Sequence, residues 1–299
     1  MNPLALFKAL RPHQWVKNVF VLAALFFSLA EEDASADRIP KVMMALAAFC
    51  LGSSAIYLIN DILDVESDRR HPTKRNRPIA AGTVSIPAAL FASVLCVAAS
   101  LSLGYLSSAG SKEGSVALVV GGYMTLNLLY SLKLKHVVLV DVFCIASGFL
   151  FRVIAGGFAA SAPLSHWALL ATIFLALFLA LCKRRAEIDL LGEGRGEHRK
   201  ILLEYTPGFL DQAVGVLSAC TIITYTMYTV AEDTQQKFQI GDQLVWTVPF
   251  VVFGLFRYLL LVSTQQGGGS PTRVLLGGDT VFVVNCLAWL GTVVGLLYF

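Results

Sequence analysis

The chain has 299 residues, of which 56% are hydrophobic and only 14% charged, and it carries a formal net charge of +3. A soluble domain of this length needs far more charge on its surface, so a water-soluble globular enzyme is excluded. The mean hydropathy of +0.69 comes from apolar runs of roughly twenty residues, each long enough to cross a bilayer as a helix. The pattern is that of an all-α polytopic membrane protein, read as a single transmembrane domain over residues 1–299.

Taken in chain order, nine spans are predicted, at about 16–30, 41–59, 84–107, 116–133, 137–157, 166–182, 212–231, 244–262 and 280–298. Arg11, His13 and Lys17 precede the first apolar run, which has no A-x-A-like end; a cleaved signal peptide is not expected, and that span should stay. Basic residues alternate with the spans. Lys8, Arg11 and Lys17 come before the first, Arg69, Arg70, Lys74, Arg75 and Arg77 follow the second, and Lys133 and Lys135 follow the fourth. Lys183, Arg184, Arg185, Arg195, Arg199 and Lys200 follow the sixth, and Arg273 lies between the last two. The positive-inside rule then predicts a cytoplasmic N-terminus in the plasma (inner) membrane.

Two cytoplasmic loops stand out by length and charge, at about 60–83 and 183–211. Chemistry is expected on that face, with water-soluble substrates arriving from the cytoplasm. Cys50, Cys96, Cys144, Cys182, Cys220 and Cys286 all fall within spans without CxxC spacing and read as small buried hydrophobes. The five histidines form no HxxxH or HExxH pair, so a transition-metal site is not expected. Gly267-Gly268-Gly269-Ser270 reads as a flexible connection.

The first long loop opens with NDILDVESD. Asn60, Asp61, Asp64 and Asp68 share one face if the helix runs on for two more turns. Three stacked carboxylates repel one another, and the C-terminal end of a span disfavours negative charge. A solvated acidic helix end is the plain alternative. The acids, however, are followed by His71-Pro72-Thr73-Lys74-Arg75-Asn76-Arg77-Pro78, whose prolines oppose a continuous helix and whose cations suit phosphate oxygens. Hard oxygen ligands beside a loop of phosphate-binding cations point to Mg²⁺ and a diphosphate.

Further along, Asn127, Tyr130 and Ser131 share a face at the end of the fourth span, with Lys133 next to it. Asp141 and Arg152 lie on one face of the fifth span, but roughly 16 Å apart along the axis, too far to pair. Intramembrane ionisable groups mark functional or inter-helix roles; for Arg152 an inter-helix pair and anion binding stay equally open. Arg257 in the eighth span reads as structural or snorkelling. After the sixth span, Lys183 and Glu187 face together at i, i+4. With Arg184 they are the residues of that loop nearest the bilayer and are expected at a substrate, whereas Arg195, Arg199 and Lys200 read as ordinary loop charges. Lys17 and Asn18 can point into the bundle, and Trp15 is placed as an interfacial aromatic.

With these residues in view the chain resembles the UbiA superfamily of membrane prenyltransferases over essentially its whole length. The resemblance rests on the number of spans and on NDxxDxxxD, here Asn60-Asp61-x-x-Asp64-x-x-x-Asp68. It implies a nine-helix bundle open to the cytoplasm, and metal roles for Asp61, Asp64 and Asp68 with Mg²⁺ as cofactor. Most members carry a second motif of DxxxD type, where this chain has Lys183-Arg184-Arg185-Ala186-Glu187. Together with RPHQWVKN, YSLKLK and HPTKRNRPIAAG, that departure resembles the actinobacterial decaprenyl-phosphate phosphoribosyltransferase branch. The resemblance implies transfer of a 5-phosphoribosyl group from soluble phosphoribosyl pyrophosphate to a polyprenyl phosphate, for cell-wall arabinan. Asp61, Asp64, Asp68 and Glu187 are then the expected catalytic groups. Lys17, Asn60, Lys74, Arg77, Tyr130, Lys133, Asp141, Arg152, Lys183 and Arg184 are the expected substrate contacts. A homo-oligomer is compatible with this reading, and no nucleic-acid partner is expected. An ordinary prenyl diphosphate:aromatic prenyltransferase is disfavoured by the missing second DxxxD. A transporter is disfavoured by the absence of a detectable inverted repeat and by charges gathered on one face.

Overall fold

The computed structural model describes residues 3–31, 35–191, 200–264 and 278–299; Arg195, Arg199, Arg273 and the Gly267–Ser270 connection lie outside them. The described regular structure is entirely helical. In order come α1 (Pro3–Ala9), a 3-10 helix (Pro12–Leu22), α2 (Ala23–Ser28), α3 (Arg38–Leu63), α4 (Val65–Arg70), α5 (Ile86–Ser107) and α6 (Val116–Leu132). They are followed by α7 (Val140–Ala160), α8 (His166–Leu191), α9 (Pro207–Val230), α10 (Glu232–Phe238), α11 (Val248–Ser263) and α12 (Thr280–Tyr298), with short 3-10 turns between. Among the described residues, seven stretches are long and apolar enough to cross a membrane: α3, α5, α7, α9, α12, His166–Asp189 and Gln243–Ser263. A shorter apolar helix, α6, has 17 residues.

The first predicted span differs from expectation. It is an 11-residue 3-10 helix that passes into the six-residue α2, although 3-10 runs beyond three or four residues are uncommon. Its entry is set by Arg11 in the left-handed region (φ 55°) followed by Pro12. Side chains then pin it to α3: Trp15 Nε1 donates to Ser54 Oγ at 3.1 Å, and Asn18 Nδ2 reaches Cys50 Sγ and Ser53 Oγ, each at 3.4 Å.

The chain divides into two compact units, and α7 contributes its first half to one and its second half to the other. One unit comprises residues 1–29, 34–133 and 151–163. Its organising contact is α3 against α5. The buried residues of α5 are Ala89, Ser93, Cys96, Ser100, Gly104 and Ser107, a seam of small side chains at helical spacing. Lipid tails are as apolar as leucine, so helices in a membrane associate by close packing and hydrogen bonds rather than by burying oil from water. Both occur here, since Ser100 Oγ donates to the Ala48 carbonyl at 2.7 Å and Ser93 Oγ to that of Ala55 at 3.3 Å. Tighter still is Gly156 on α7, where an added Cβ would strike the Val21 carbonyl.

The other unit comprises residues 30–33, 134–150 and 164–299. Its core joins α8, α9 and α11 through Phe178, Leu181, Cys182, Leu210, Tyr258 and Leu261. Arg257 is a structural pair, as one of its two expected readings had it. Its Nε and Nη2 meet the Asp279 carboxylate at 3.1 and 2.7 Å, and Asp279 also caps α12 by accepting from Phe282 N at 2.7 Å. The guanidinium beside Asp279 holds that carboxyl below its usual range.

Backbone cannot move aside as a flexible side chain can, so Gly156→Ala is expected to destabilise the protein by about 1–3 kcal/mol. Gly215→Ala, which meets nothing within 4 Å, should be neutral or slightly stabilising. Thermal unfolding of the two variants in detergent checks the contrast.

Candidate active site

The acidic face is broken where a continuous helix was expected. α3 ends at Leu63, Asp64 forms the junction (φ −93°, ψ 5°), and α4 restarts at Val65. The break has a physical benefit. Asp68 is moved from the negative end of a long helix into the first turn of a new one, where a carboxylate is favoured. Asp61 and Asp68 are both buried, each 2% exposed, while Asp64 is half-buried between them.

Two buried carboxylates on neighbouring turns need cations, and the chain supplies them. Arg77 Nη1 bridges them, at 3.1 Å from Asp61 Oδ1 and 2.7 Å from Asp68 Oδ2. The reach of Arg77 follows from the next residue, because a residue before proline is driven out of the helical region. Arg77 is accordingly extended (ψ 141°) after the 3-10 turn Lys74–Asn76. Pro78, Ile79 and Ala80 are buried and anchor the loop. Arg11 Nη2 reaches Asp61 Oδ1 at 2.5 Å, and its guanidinium lies 5.0 Å above the Tyr57 ring. Arg11 is the functional-site residue that the motif reading missed; its signal was an arginine placed directly before Pro12 at the head of the first apolar run.

Asn60 Oδ1 is buried without a hydrogen-bond partner among the described residues. No three described His, Cys, Asp or Glu side chains form a group that could hold a metal by themselves. The donors nevertheless suit a hard cation: Asp61, Asp68 and the orphaned Asn60 oxygen are all oxygen ligands, with Asp64 beside them. Mg²⁺ commonly takes one or two carboxylates and completes its shell with water and substrate phosphate. Lys74 is exposed on the same loop, and Lys133 is exposed at the end of α6, with Tyr130 and Lys17 half-buried.

Arg152 is 6% exposed and holds helices together. Its Nε donates to Asn18 Oδ1 at 2.8 Å and its Nη2 to Tyr123 OH at 3.1 Å, while its guanidinium lies 4.8 Å over the Tyr123 ring and 5.7 Å over Phe49. A lysine keeps the charge but cannot make both bonds and both ring contacts. Arg152→Lys is therefore expected to cost about 1–3 kcal/mol, the scale of leaving a buried polar group unsatisfied, measurable as a lowered melting temperature.

In the second unit Asp141 is 1% exposed. Its Oδ1 accepts from Tyr205 OH at 2.7 Å and its Oδ2 from Arg184 Nε at 3.0 Å. Arg184, with a side chain 2% exposed, continues through Nη1 to Glu187 Oε2 at 2.8 Å. Glu187 is 26% exposed and stands 4.0 Å from Lys183 Nζ, which is 51% exposed. The loop expected from residue 183 is instead helical up to Leu191, so these groups stand on the last turns of α8; Lys183 and Glu187 are its accessible groups here, and Arg184 lies behind them. Tyr205 OH also accepts from Leu139 N at 2.9 Å. That backbone is left-handed (φ 67°), a conformation that costs a leucine of order 1–3 kcal/mol unless its surroundings hold it. Burial, and then the carboxylate it donates to, push the Tyr205 phenol well above its usual value of 10.0, so it remains a donor at working pH. Arg185 is engaged elsewhere, with Asp211 at 2.8 Å and with Asp189.

A sequence profile described as the UbiA prenyltransferase family matches residues 19–190, more than half of the chain. The chain belongs to the UbiA prenyltransferase family. This UbiA-family chain is 40% identical over 296 residues to the decaprenyl-phosphate phosphoribosyltransferase of Corynebacterium glutamicum, covering 97% of itself and 86% of that protein. It is 38% identical over 304 residues to the protein of the same name from Mycolicibacterium smegmatis, covering 98% and 92%. The solved structure of a UbiA homolog from Archaeoglobus fulgidus bound to GPP and Mg²⁺ shares the fold, with a TM-score of 0.69 at 18% identity over 99% of this chain and 100% of that one. Both the Asp61–Asp68 cluster and Lys183–Glu187 fall inside the matched family region.

Proposed function

We propose that the protein transfers the 5-phosphoribosyl group of phosphoribosyl pyrophosphate to decaprenyl phosphate or a similar polyprenyl phosphate, releasing pyrophosphate, and so supplies arabinose donors for cell-wall synthesis. The observation that carries this reading is the near-full-length likeness to two decaprenyl-phosphate phosphoribosyltransferases. Lys183-Arg184-Arg185-Ala186-Glu187 following α7 and most of α8, in place of a second acidic motif, supports it. The nine apolar segments, the alternation of basic loops and the family fold support a nine-span bundle in the plasma membrane, with its N-terminus and its charged loops cytoplasmic.

The chemistry follows from the charges. Asp61, Asp64 and Asp68, with the Asn60 oxygen, are assigned to Mg²⁺, which when bound neutralises charge on the diphosphate leaving group. Arg77 then exchanges part of its hold on the carboxylates for diphosphate oxygens, to which its planar fork is suited, while Lys74 contributes a point charge from the loop. Breaking the bond from C1 of the ribose to the diphosphate oxygen leaves oxocarbenium character at C1. A lipid phosphate oxygen forms the new bond there. No general base is required, because the attacking phosphate is already anionic. Lys17, Tyr130 and Lys133 are assigned to the donor and acceptor phosphates. Lys183 and Glu187 are assigned to the sugar phosphate, with Asp141 and Arg184 fixing Glu187. Arg152 serves the bundle that carries these groups.

Purified protein given labelled phosphoribosyl pyrophosphate, Mg²⁺ and decaprenyl phosphate should form a lipid-linked phosphoribose and free pyrophosphate. Chelation of the metal should abolish turnover. Asp64→Asn and Asp68→Asn should each lower kcat by about a hundredfold or more, the scale of losing one group that stabilises transition-state charge. Turnover of a prenyl diphosphate with an aromatic acid instead would overturn the reading.

A further inference from the structure

The Asp141 carboxylate, the Arg184 guanidinium and the Tyr205 hydroxyl are buried together and joined in series, with Asp141 accepting from both of its neighbours. Tyr205 OH donates to Asp141 Oδ1 (2.7 Å), Arg184 Nε donates to Asp141 Oδ2 (3.0 Å), and Arg184 Nη1 donates to Glu187 Oε2 (2.8 Å). A guanidinium is planar, so fixing its Nε edge on a carboxylate fixes the direction of its Nη1 edge. Whatever orients Asp141 therefore orients the glutamate at the far end. The orienting group is Tyr205, which also takes the Leu139 amide (2.9 Å). It thereby grips the chain on both sides of the start of α7. Tyr205 is itself immobilised, 1% exposed and with its ring stacked on Phe209 at 6.4 Å. Glu187 and Lys183 are the first members of this series that a solute can reach.

We propose that Tyr205 is a positioning residue: through Asp141 and Arg184 it sets the orientation of Glu187, and hence the affinity for the phosphorylated sugar donor. The inference rests on the donor-binding role proposed above for Lys183 and Glu187. It assigns a function to the return of the second long loop, whose acidic and basic motifs lie some twenty residues earlier in sequence. Tyr205 touches no reacting atom and is not a catalytic residue.

The Tyr205→Phe variant keeps the ring and its stacking and removes the hydroxyl alone. It is expected to raise KM for phosphoribosyl pyrophosphate about tenfold or more, the scale of a lost hydrogen bond to a charged group, with kcat within about twofold of wild type. Glu187→Gln, which alters the ligand-facing group itself, should raise that KM at least as much. The double variant should be no worse than the weaker of the two singles, because both act on one orientation. Asp141→Asn, which places an amide against Arg184 in one of its two orientations, should resemble Tyr205→Phe. An unchanged KM in Tyr205→Phe, or a double variant whose effect is the product of the singles, overturns the proposal. If the wild-type protein transfers no phosphoribose, the function reading fails by itself, and positioning is then read from amide hydrogen exchange. Tyr205→Phe should speed exchange in residues 183–189 as well as in 139–141. Acceleration confined to 139–141 would overturn the positioning claim.

Discussion

The pairing of Arg77 with Asp61 and Asp68 is the constraint on which the acidic end of the first unit depends. Two carboxylates, each 2% exposed, cannot stay charged side by side at the end of a span unless cations sit between them. The loop supplies one by setting Arg77 before Pro78, and the N-terminal segment supplies another by setting Arg11 before Pro12. Arg77 stands in the extended conformation that the proline after it favours, whereas Arg11 is left-handed (φ 55°) before Pro12. The helix break at Asp64 belongs to the same solution, because it lets Asp68 begin a new helix. A cluster held in this way is closed by protein cations.

The same rule governs the second unit. Asp141 has Arg184, Asp279 has Arg257, and Glu31 meets Lys237 at 2.6 Å. Burying one partner of such a pair without the other is costly, so these pairs fix which helix ends stand together. They differ in exposure. Arg184 and Asp141 are enclosed, whereas Lys183 and Glu187 remain reachable. The division between enclosed supports and reachable ends lets the charged end of α8 be both rigid and exposed.

Much of this was legible in the sequence, for reasons that are physical. The long apolar runs of α3, α5, α7, α8, α9, α11 and α12 could hardly be anything but membrane helices, and NDxxDxxxD marked the acidic cluster through three acids at helical spacing. What could not be read was long-range. Arg11 meets Asp61 fifty residues away, and Tyr205 meets Asp141 sixty-four residues away; no local pattern encodes either meeting. The 3-10 course of the first segment was equally hidden, because its apolar content suits an α-helix and only its side-chain bonds to α3 distinguish the two. Arg184 was expected at a substrate, with Lys183 and Glu187, because these are the residues of that loop nearest the bilayer. Helical spacing puts it on the inner face, against Asp141.

The central claim is that the Asp61–Asp68 cluster receives a diphosphate carried by a soluble sugar together with Mg²⁺. Calorimetric titration of phosphoribosyl pyrophosphate into the purified protein, without lipid acceptor, tests it most directly. Saturable binding that requires Mg²⁺ and is lost in Asp68→Asn is the predicted result. Binding that is indifferent to Mg²⁺ or to that substitution would contradict it.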